Sequence, residues 1–347
     1  MRIGLPLPYS GSFTETVELL PDYHHAGVEI VYVAEAYSFD AVSQLGYIAA
    51  KVPGIEIAAD ILPIYTRTPS LLAMTAAGLD YVSGGRFTLG IGASGPQVIE
   101  GFHGVAYDAP VARTREVIEI CRQIWRRERV QHQSARYTIP LDAAHGGSGL
   151  GKPLKLINTP VRDRIPIMVA AMGPRNVSLA AEQAEGWAPF FYRPEGAEQV
   201  WGKALREGSA KRDPALGPLD VVVPISVAIG DDVEHLLDAA RPLFALYIGG
   251  MGARGKNFYH DLASRYGYQA EADTIQDLYL SGRKDEAAAA VPIELLRSVS
   301  LVGPRGWVAD RLAALAESGV STLAATPLAA SHADRVATLE TLRELAS

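Results

Sequence analysis

The sequence predicts an α/β protein of the (β/α)8-barrel, or TIM-barrel, class. Short β-branched, apolar runs alternate with segments of helical periodicity through most of the 347 residues. Each run is apolar along its whole length, which is typical of a parallel sheet whose outer face is covered by helices. A doubly wound sheet is the competing architecture. It would need a glycine fingerprint after the first strand, and residues 8–12 (Pro-Tyr-Ser-Gly-Ser) do not supply one.

The first half of the chain supplies four strand–helix pairs. Strands are predicted where the apolar runs are rich in β-branched residues, at 3–7, 28–33, 55–62 and 87–92. Helices are predicted where the apolar residues recur with helical spacing, at 14–25, 41–51, 69–82 and 110–129. Thr14 can cap the first helix, and Pro69 suits the first turn of the third, which the Ser-Gly-Gly of residues 83–85 ends.

The second half keeps the same alternation with longer interruptions. Four further strands are predicted at 165–171, 186–191, 219–229 and 320–327, the third of them split by Pro224. Helices are predicted at 174–184, 305–317 and 334–345. An irregular stretch at about 131–164 and a helix-rich stretch at about 231–296 are interpreted as insertions. We therefore expect a single barrel domain over residues 1–347.

Composition and charge exclude several classes of function. The formal net charge is −7 and no run of five like charges occurs, so nucleic acid is not an expected partner. Cys121 is the only cysteine and lies in an apolar helical stripe, which predicts a buried thiol and no disulfide or cysteine-based zinc site. The adjacent His24 and His25 point apart on a helix and cannot share a metal ion. Because neither a signal peptide nor a membrane-spanning apolar stretch is visible, we expect a cytoplasmic protein without membrane attachment.

Small residues cluster where the fourth predicted strand ends. Gly90, Gly92 and Gly95 flank Ala93 and Ser94 there, and a backbone without Cβ atoms can approach a flat ring or a phosphate. The alternative is a tight turn from strand to helix. In a barrel, the carboxyl ends of the strands carry the active site, so we favour ligand binding.

A second candidate site follows the fifth predicted strand. Residues 173–176 (Gly-Pro-Arg-Asn) open a helix directly after that strand, so free backbone N–H groups and the helix dipole would favour an anion. Arg175 adds a forked donor. The alternative is an ordinary helix start at Pro174 with a solvated arginine.

Four sequence elements together indicate a family. They are an R-x-P element at 67–69, S-G-G-R-F-T-L-G-I-G at 83–92, E-G-F-H-G-V-A-Y at 100–107 and A-A-M-G-P-R at 170–175. In this order they resemble luciferase-like flavin monooxygenases and F420-dependent reductases, and the third element is similar to the F420-dependent branch. The elements span most of the chain.

The resemblance implies a cofactor at the barrel mouth, either coenzyme F420 or, as the alternative, FMN. It implies that Gly92, Ala93 and Ser94 lie beside the ring and that residues 172–176, from Met172 through Gly173 and Arg175 to Asn176, hold a phosphate. Asp60 and Ile61 fall where the family often has a non-prolyl cis peptide that supports the opposite side of the ring. For Asp60, the alternative is a carboxylate that caps the following loop.

The residues that would act on the substrate are not identified by the resemblance. Glu35, Tyr37 and His103 are pocket candidates only, and His103 could equally be solvated or brace its loop. Related F420-dependent sugar-phosphate dehydrogenases have His where this chain has Ala36, and Glu where it has Gly95. Both departures argue against sugar-phosphate oxidation.

Three functions are compatible with these patterns. The first is hydride transfer between F420 and an unidentified small organic substrate. The second is oxygen activation by an FMN-dependent monooxygenase, and the third is a barrel that binds flavin without catalysis. The family resemblance also implies a homodimer.

Overall fold

A computed structural model describes residues 1–9, 11–252 and 254–347. Parallel strands dominate it, as the sequence predicts. In chain order the strands of the described part are β1 (Arg2–Pro6), β2 (Ile30–Val33), β3 (Glu56–Ala59), β4 (Leu62–Pro63), β5 (Phe87–Gly92), β6 (His132–Gln133), β7 (Thr138–Ile139), β8 (Ile167–Ala170), β9 (Gly186–Ala188), β10 (Asp220–Ile229), β11 (Ser300–Gly303) and β12 (Thr322–Pro327).

Eight of these strands close a barrel in the order β1-β2-β3-β5-β8-β9-β10-β12. Closure requires the last strand to pair with the first, and Arg2 of β1 is in register with Thr322 of β12. On the other side Asp220 of β10 pairs with Gly186 of β9. Each of the eight predicted strands contains one barrel strand, which confirms the (β/α)8 prediction.

Helices cover the outside of the barrel and fill the long connection between β10 and β11. The α-helices of the described part are α1 (Phe13–His25), α2 (Ala41–Lys51), α3 (Pro69–Ser83), α4 (Pro96–Ile99), α5 (Pro110–Trp125), α6 (Pro174–Gln183), α7 (Pro194–Ala197), α8 (Lys203–Ser209), α9 (Arg241–Ala245), α10 (Phe258–Arg265), α11 (Gln269–Leu280), α12 (Lys284–Ala289), α13 (Ile293–Ser298), α14 (Arg305–Glu317) and α15 (His332–Ala346). Cys121 on α5 is buried, as predicted, and burial raises the pKa of its thiol to about 12.

The structure corrects the sequence prediction at three places. Pro224 does not split its strand. On one edge of β10, β9 pairs with residues 220–221 and β11 with residues 226–229, and Pro224 lies in the gap between these pairings, where a missing N–H group costs no hydrogen bond between strands. The helix predicted at 110–129 ends at Trp125, since Arg127 adopts a positive φ of 56°. Within the stretch 131–164, expected to be irregular, His132 of β6 pairs with Ile139 of β7 in an antiparallel hairpin.

Strand β11 was not predicted. Its four residues, Ser300–Gly303, pair with the last four residues of β10, which extend beyond the part that β9 covers. The strand thus covers an edge that would otherwise present unpaired backbone groups. Four residues that follow a helix closely give too short a pattern for a strand to be recognised in the sequence.

The barrel interior contains a buried cluster of its own. Its buried cluster is separate from the larger core between strands and helices and consists of Ile30, Tyr32, Ala58, Met168, Ala188, Val222 and Ala324. Gly90 belongs to the packed part of the barrel, because a Cβ there would collide with the carbonyl oxygen of Ala59.

Candidate active site

Three sequence elements meet at the carboxyl ends of β3, β5 and β8. Gly92 ends β5 and faces Ile61, since a Cβ on Gly92 would lie 3.1 Å from Ile61 Cγ1. On its other side the same Cβ would lie 3.5 Å from the Cβ of Ala170, which ends β8. The structure therefore brings Ile61 into direct contact with the fourth-strand glycine.

The peptide bond between Asp60 and Ile61 is cis, at the position where the family resemblance places one. The backbone N–H of Asp60 donates to the carbonyl oxygen of Val33 at 2.8 Å. Within residues 1–9, 11–252 and 254–347, no hydrogen bond to the Asp60 carboxyl group occurs. The expected alternative, a carboxylate that caps the following loop, is therefore not what the structure contains.

The environment of Asp60 disfavours its charged form. Burial raises the pKa of the Asp60 carboxyl group to about 6. Burial raises the pKa values of Tyr9, to about 12, of Tyr32 and of Tyr247, and the Asp60 charge adds to each of these three shifts. These tyrosines come from the β1–α1 loop, from β2 and from the helical insertion, so the mouth of the barrel is built by distant parts of the chain.

The backbone at the end of β5 bends at Ser94. Ser94 has a positive φ of 57°, whereas Gly92 does not, so the freedom of Gly92 is needed for space and not for its backbone angles. Ser94 is exposed, and its carbonyl oxygen accepts a hydrogen bond of 3.4 Å from the Tyr107 hydroxyl group. Ala93, which lies between Gly92 and Ser94 in the sequence, is half-buried.

The start of α6 has the features of an anion site. Gly173 is its N-cap without a side-chain capping bond, and Pro174 occupies the first turn. Arg175 is exposed and makes no ion pair with any described residue. The Asn176 amide oxygen is buried without a partner in the described part of the chain. Rotating the Asn176 side-chain amide would place its N–H group at the position that the oxygen now occupies.

Met172 serves the packing below this helix. Its sulfur accepts the backbone N–H of Phe190 at 3.2 Å, and its carbonyl oxygen accepts the Trp201 indole N–H at 3.1 Å. Met172 thus fixes the loop that leads to α6, and both of its acceptors are occupied by protein groups.

Glu35 is bound within an ion-pair network at the end of β2. The Arg67 guanidinium group donates to both Glu35 carboxylate oxygens, at 2.5 and 3.0 Å, and to Asp40 at 2.7 Å. One Glu35 oxygen also accepts the backbone N–H of Ala41, in the first turn of α2, at 2.9 Å. Glu35 therefore holds α2 and the loop before α3 in place.

Tyr37 and His103 lie at an aromatic contact between the loops after β2 and β5. The ring centroids of Tyr37 and Phe102 are 6.1 Å apart, and the His103 ring packs edge-on against Phe102 at 5.1 Å. Tyr37 is exposed. The His103 Nε2 atom is buried and has no hydrogen-bond partner among the described residues.

Sequence reasoning missed the aromatic wall that the insertion contributes. Phe244 stacks on Phe191, which follows β9, with 4.0 Å between ring centroids, and Tyr247 and Tyr259 pack around them. The Tyr266 hydroxyl group donates to the Phe191 carbonyl oxygen at 3.0 Å. Five aromatic residues within residues 244–266 (Phe244, Tyr247, Phe258, Tyr259 and Tyr266) were the signal that could have indicated a wall.

A cavity of about 380 Å³ opens beside the mouth, between the ends of β1 and β2. Tyr9 and Phe13 form its aromatic side, and Ser38 and Asp40 contribute polar groups. The described residues contain no group of three potential metal ligands. None of the helices in the described ranges is long and apolar enough to cross a membrane.

Comparison with known proteins identifies the family. The model of the luciferase-like monooxygenase family matches residues 1–322. The chain belongs to this family. A Mycobacterium tuberculosis relative, to which coenzyme F420-dependent oxidoreductase activity is ascribed, is 40% identical over 331 residues, or 94% of this chain and 95% of the relative.

Two solved structures of luciferase-like proteins have the same fold. The coenzyme F420-dependent tetrahydromethanopterin reductase from Methanopyrus kandleri has a TM-score of 0.80 at 20% identity, covering 98% of this chain and 96% of its own. The FMN-bound oxygenating component of 3,6-diketocamphane monooxygenase from Pseudomonas putida has a TM-score of 0.64 at 20% identity, with 99% and 96% coverage. The fold is therefore found with both cofactors.

Proposed function

We propose that this protein is an F420-dependent oxidoreductase that transfers hydride between the deazaflavin and a small organic substrate. The observation that carries the proposal is the contact of Ile61 with Gly92 at the barrel mouth. The Mycobacterium tuberculosis relative, at 40% identity over most of both chains, favours F420 over FMN.

The residues at the mouth fit a flat cofactor that carries a phosphate. Gly92, Ala93 and Ala170 are small, so a ring can approach the strand ends, and Ile61, which packs on Gly92, adds an apolar side chain. The start of α6, which has no side-chain cap, and Arg175, which pairs with no described residue, suit the phosphate. When bound, F420 would supply or accept hydride at C5.

The protein's own part is to bind, orient and shield the reactants. The aromatic wall at Phe191, Phe244 and Tyr247 closes one side of the mouth and would keep water from the reacting carbon. The adjoining cavity of about 380 Å³ suits a small organic molecule. Holding the two reactants at a fixed distance and face accounts for much of the rate that such enzymes achieve.

An FMN-dependent monooxygenase is the second candidate, because the Pseudomonas putida structure combines this fold with FMN. Reaction type separates the two candidates. Under nitrogen, the purified protein with reduced F420 and a panel of ketones, enones and imines, or with oxidised F420 and alcohols, should change the absorbance of F420 catalytically. Turnover only with reduced FMN, accompanied by oxygen consumption, would contradict the proposal.

Three further expectations accompany the proposal. A single domain over 1–347 is supported by barrel strands that run from residue 2 to residue 327. A homodimer agrees with the exposed apolar side chains Leu71, Met74 and Tyr81 on the outer helix α3. A cytoplasmic location remains a prediction from the composition.

A further inference from the structure

Asp60 continues the side of β3 that faces the barrel interior. Along β3, Ala58 belongs to the interior cluster, whereas Ile57 and Ala59 belong to the core beneath the helices. Because strand side chains alternate, Asp60 lies on the interior side, one layer above Ala58. Asp60 directly follows the last residue of β3, so this layer lies at the carboxyl end of the strand, where the barrel mouth begins. The carboxyl group therefore faces the space in which the cofactor and substrate would meet.

The ionisable groups whose pKa values respond to the charge of Asp60 are tyrosines. Tyr9, Tyr32 and Tyr247 are the tyrosines that respond to its charge, and burial is the only cause that shifts its own pKa. Two other carboxylates near the mouth, Glu35 and Asp40, are both bound to Arg67. In the described part of the chain, Asp60 differs from these two in having neither a cationic partner nor a hydrogen bond to its carboxyl group.

An unpaired carboxyl group in this position has chemical consequences. A carboxyl pKa of about 6 lies near neutral pH, so the group can both donate and accept a proton under ordinary conditions. A structural carboxylate would instead be expected to have an arginine or backbone N–H partner, as Glu35 has. The geometry of the mouth and the lack of a partner both indicate proton transfer.

We propose that Asp60 exchanges with the substrate the proton that accompanies hydride transfer. This inference rests on the proposed function. When an electrophilic carbon of a carbonyl or conjugated carbonyl compound receives hydride from the bound reduced cofactor, a C–H bond forms and the π electron pair moves to oxygen. The Asp60 O–H bond then breaks and its proton goes to that oxygen, leaving a carboxylate that water reprotonates. Alcohol oxidation runs the same proton step in reverse, with the carboxylate as acceptor.

The test compares Asp60→Asn with the conservative variant Asp60→Glu. Asn has the same shape as Asp and cannot donate an acidic proton. The matched control is Asp277→Asn, which changes an exposed carboxylate in the insertion. We expect F420 affinity to stay within about threefold in Asp60→Asn. The rate with reduced F420 and 2-cyclohexen-1-one should fall by about 100-fold or more, the usual contribution of a general acid. Asp60→Glu should restore part of that rate, and Asp277→Asn should leave it unchanged.

Two readouts distinguish proton transfer from a structural role. The rate profile of the wild type should show an ionisation near pH 6 that Asp60→Asn lacks. In the protein without cofactor, carboxyl 13C resonances of labelled Asp, assigned with Asp60→Asn, should show one group that titrates near pH 6. The second readout does not depend on activity.

The outcomes separate this inference from the proposed function. If the wild type fails to bind F420, the proposed function itself is wrong. If it binds F420 and Asp60→Asn keeps the wild-type rate and pH profile, the proton role is overturned. Loss of F420 binding in Asp60→Asn, or titration of Asp60 below about pH 4.5, would also overturn it. Loss of F420 binding would identify Asp60 as a cofactor contact. Titration at the lower pH would mean that its carboxyl group has no proton to donate near neutral pH.

Discussion

Ile61 packs against Gly92 at the place that a side chain of residue 92 would occupy. The Ile61 Cγ1 atom lies only 3.1 Å from the position of a Cβ atom added to Gly92. In Gly92→Ala, Ile61 must move by a few tenths of an ångström, so F420 affinity should fall by roughly tenfold, or about 1.4 kcal/mol. Gly92→Val, whose branched side chain is larger, should abolish F420 binding. Fluorescence titration with F420 measures both effects.

Gly46 provides the matched control for Gly92. It lies in α2, and a Cβ there would meet no atom within 4 Å. Gly46→Ala should therefore leave F420 affinity unchanged and raise the free energy of unfolding by roughly 0.5–1 kcal/mol through its higher helix propensity. Wild-type affinity in Gly92→Val, with the fold intact, would remove Gly92 from the cofactor site.

Arg175 is exposed at the start of α6 and is expected to bind the cofactor phosphate. Loss of a charge-assisted hydrogen bond costs about 1.5–3 kcal/mol, so Arg175→Ala should weaken F420 binding by roughly 10- to 100-fold. Arg126→Ala, which removes an exposed arginine paired with Glu128 outside the barrel, is the control and should bind normally. Equal affinity of both variants would place the phosphate elsewhere.

The Arg67–Glu35 pair is expected to stabilise the fold. Arg67→Met leaves the Glu35 carboxylate, whose side chain is only 9% exposed, without its cation, and such losses typically cost about 3–5 kcal/mol. The double variant Glu35→Gln/Arg67→Met should recover much of this loss, because no buried charge remains. Urea denaturation of the wild type, Glu35→Gln, Arg67→Met and the double variant measures the coupling between the two residues. A loss below about 1 kcal/mol in Arg67→Met would show that the pair is not needed.

Asp60 should make the stability of the protein depend on pH. Its carboxyl pKa is about 6 in the folded state and near 3.8 in the unfolded state, so the folded state binds the proton more tightly. The free energy of unfolding should therefore fall as the pH rises from about 4 to 6 and then level off. Asp60→Asn has no ionisable group at this position, so it avoids the cost of burying a charge. The difference in free energy of unfolding between Asp60→Asn and the wild type should therefore be smallest at pH 4 and grow, on the order of 1–3 kcal/mol, by pH 7.5. A difference that does not change with pH would contradict the shifted pKa.

Local patterns were sufficient to predict the barrel and the family, while long-range contacts were not. The strand ends at Ile61, Gly92 and Ala170 meet because parallel strands end at the same edge, and the sequence motifs already mark two of them. The contribution of Tyr247 to the surroundings of Asp60 depends on how the helical insertion folds back, which spacing along the chain does not encode. The same limit applies to Glu35, whose partner Arg67 lies 32 residues further along the chain.

The backbone at the end of β5 illustrates a second limit. A glycine-rich motif indicates that some residue needs unusual angles or space, but it does not say which residue needs which. Here Ser94 has the positive φ, Gly92 provides space for Ile61, and Gly90 avoids the Ala59 carbonyl oxygen. Three small residues in five positions therefore have three different physical reasons.

The most direct test of the proposed function is parallel titration of the purified protein, without cofactor, with F420 and with FMN. Both ligands have a tricyclic ring and a phosphate, so the comparison isolates the preference of this mouth for the deazaflavin. We expect saturable binding of F420 at micromolar or lower concentration, with FMN at least tenfold weaker. Binding of FMN as tight as that of F420, or no binding of F420 at all, would contradict the proposal that this luciferase-like protein is an F420-dependent oxidoreductase.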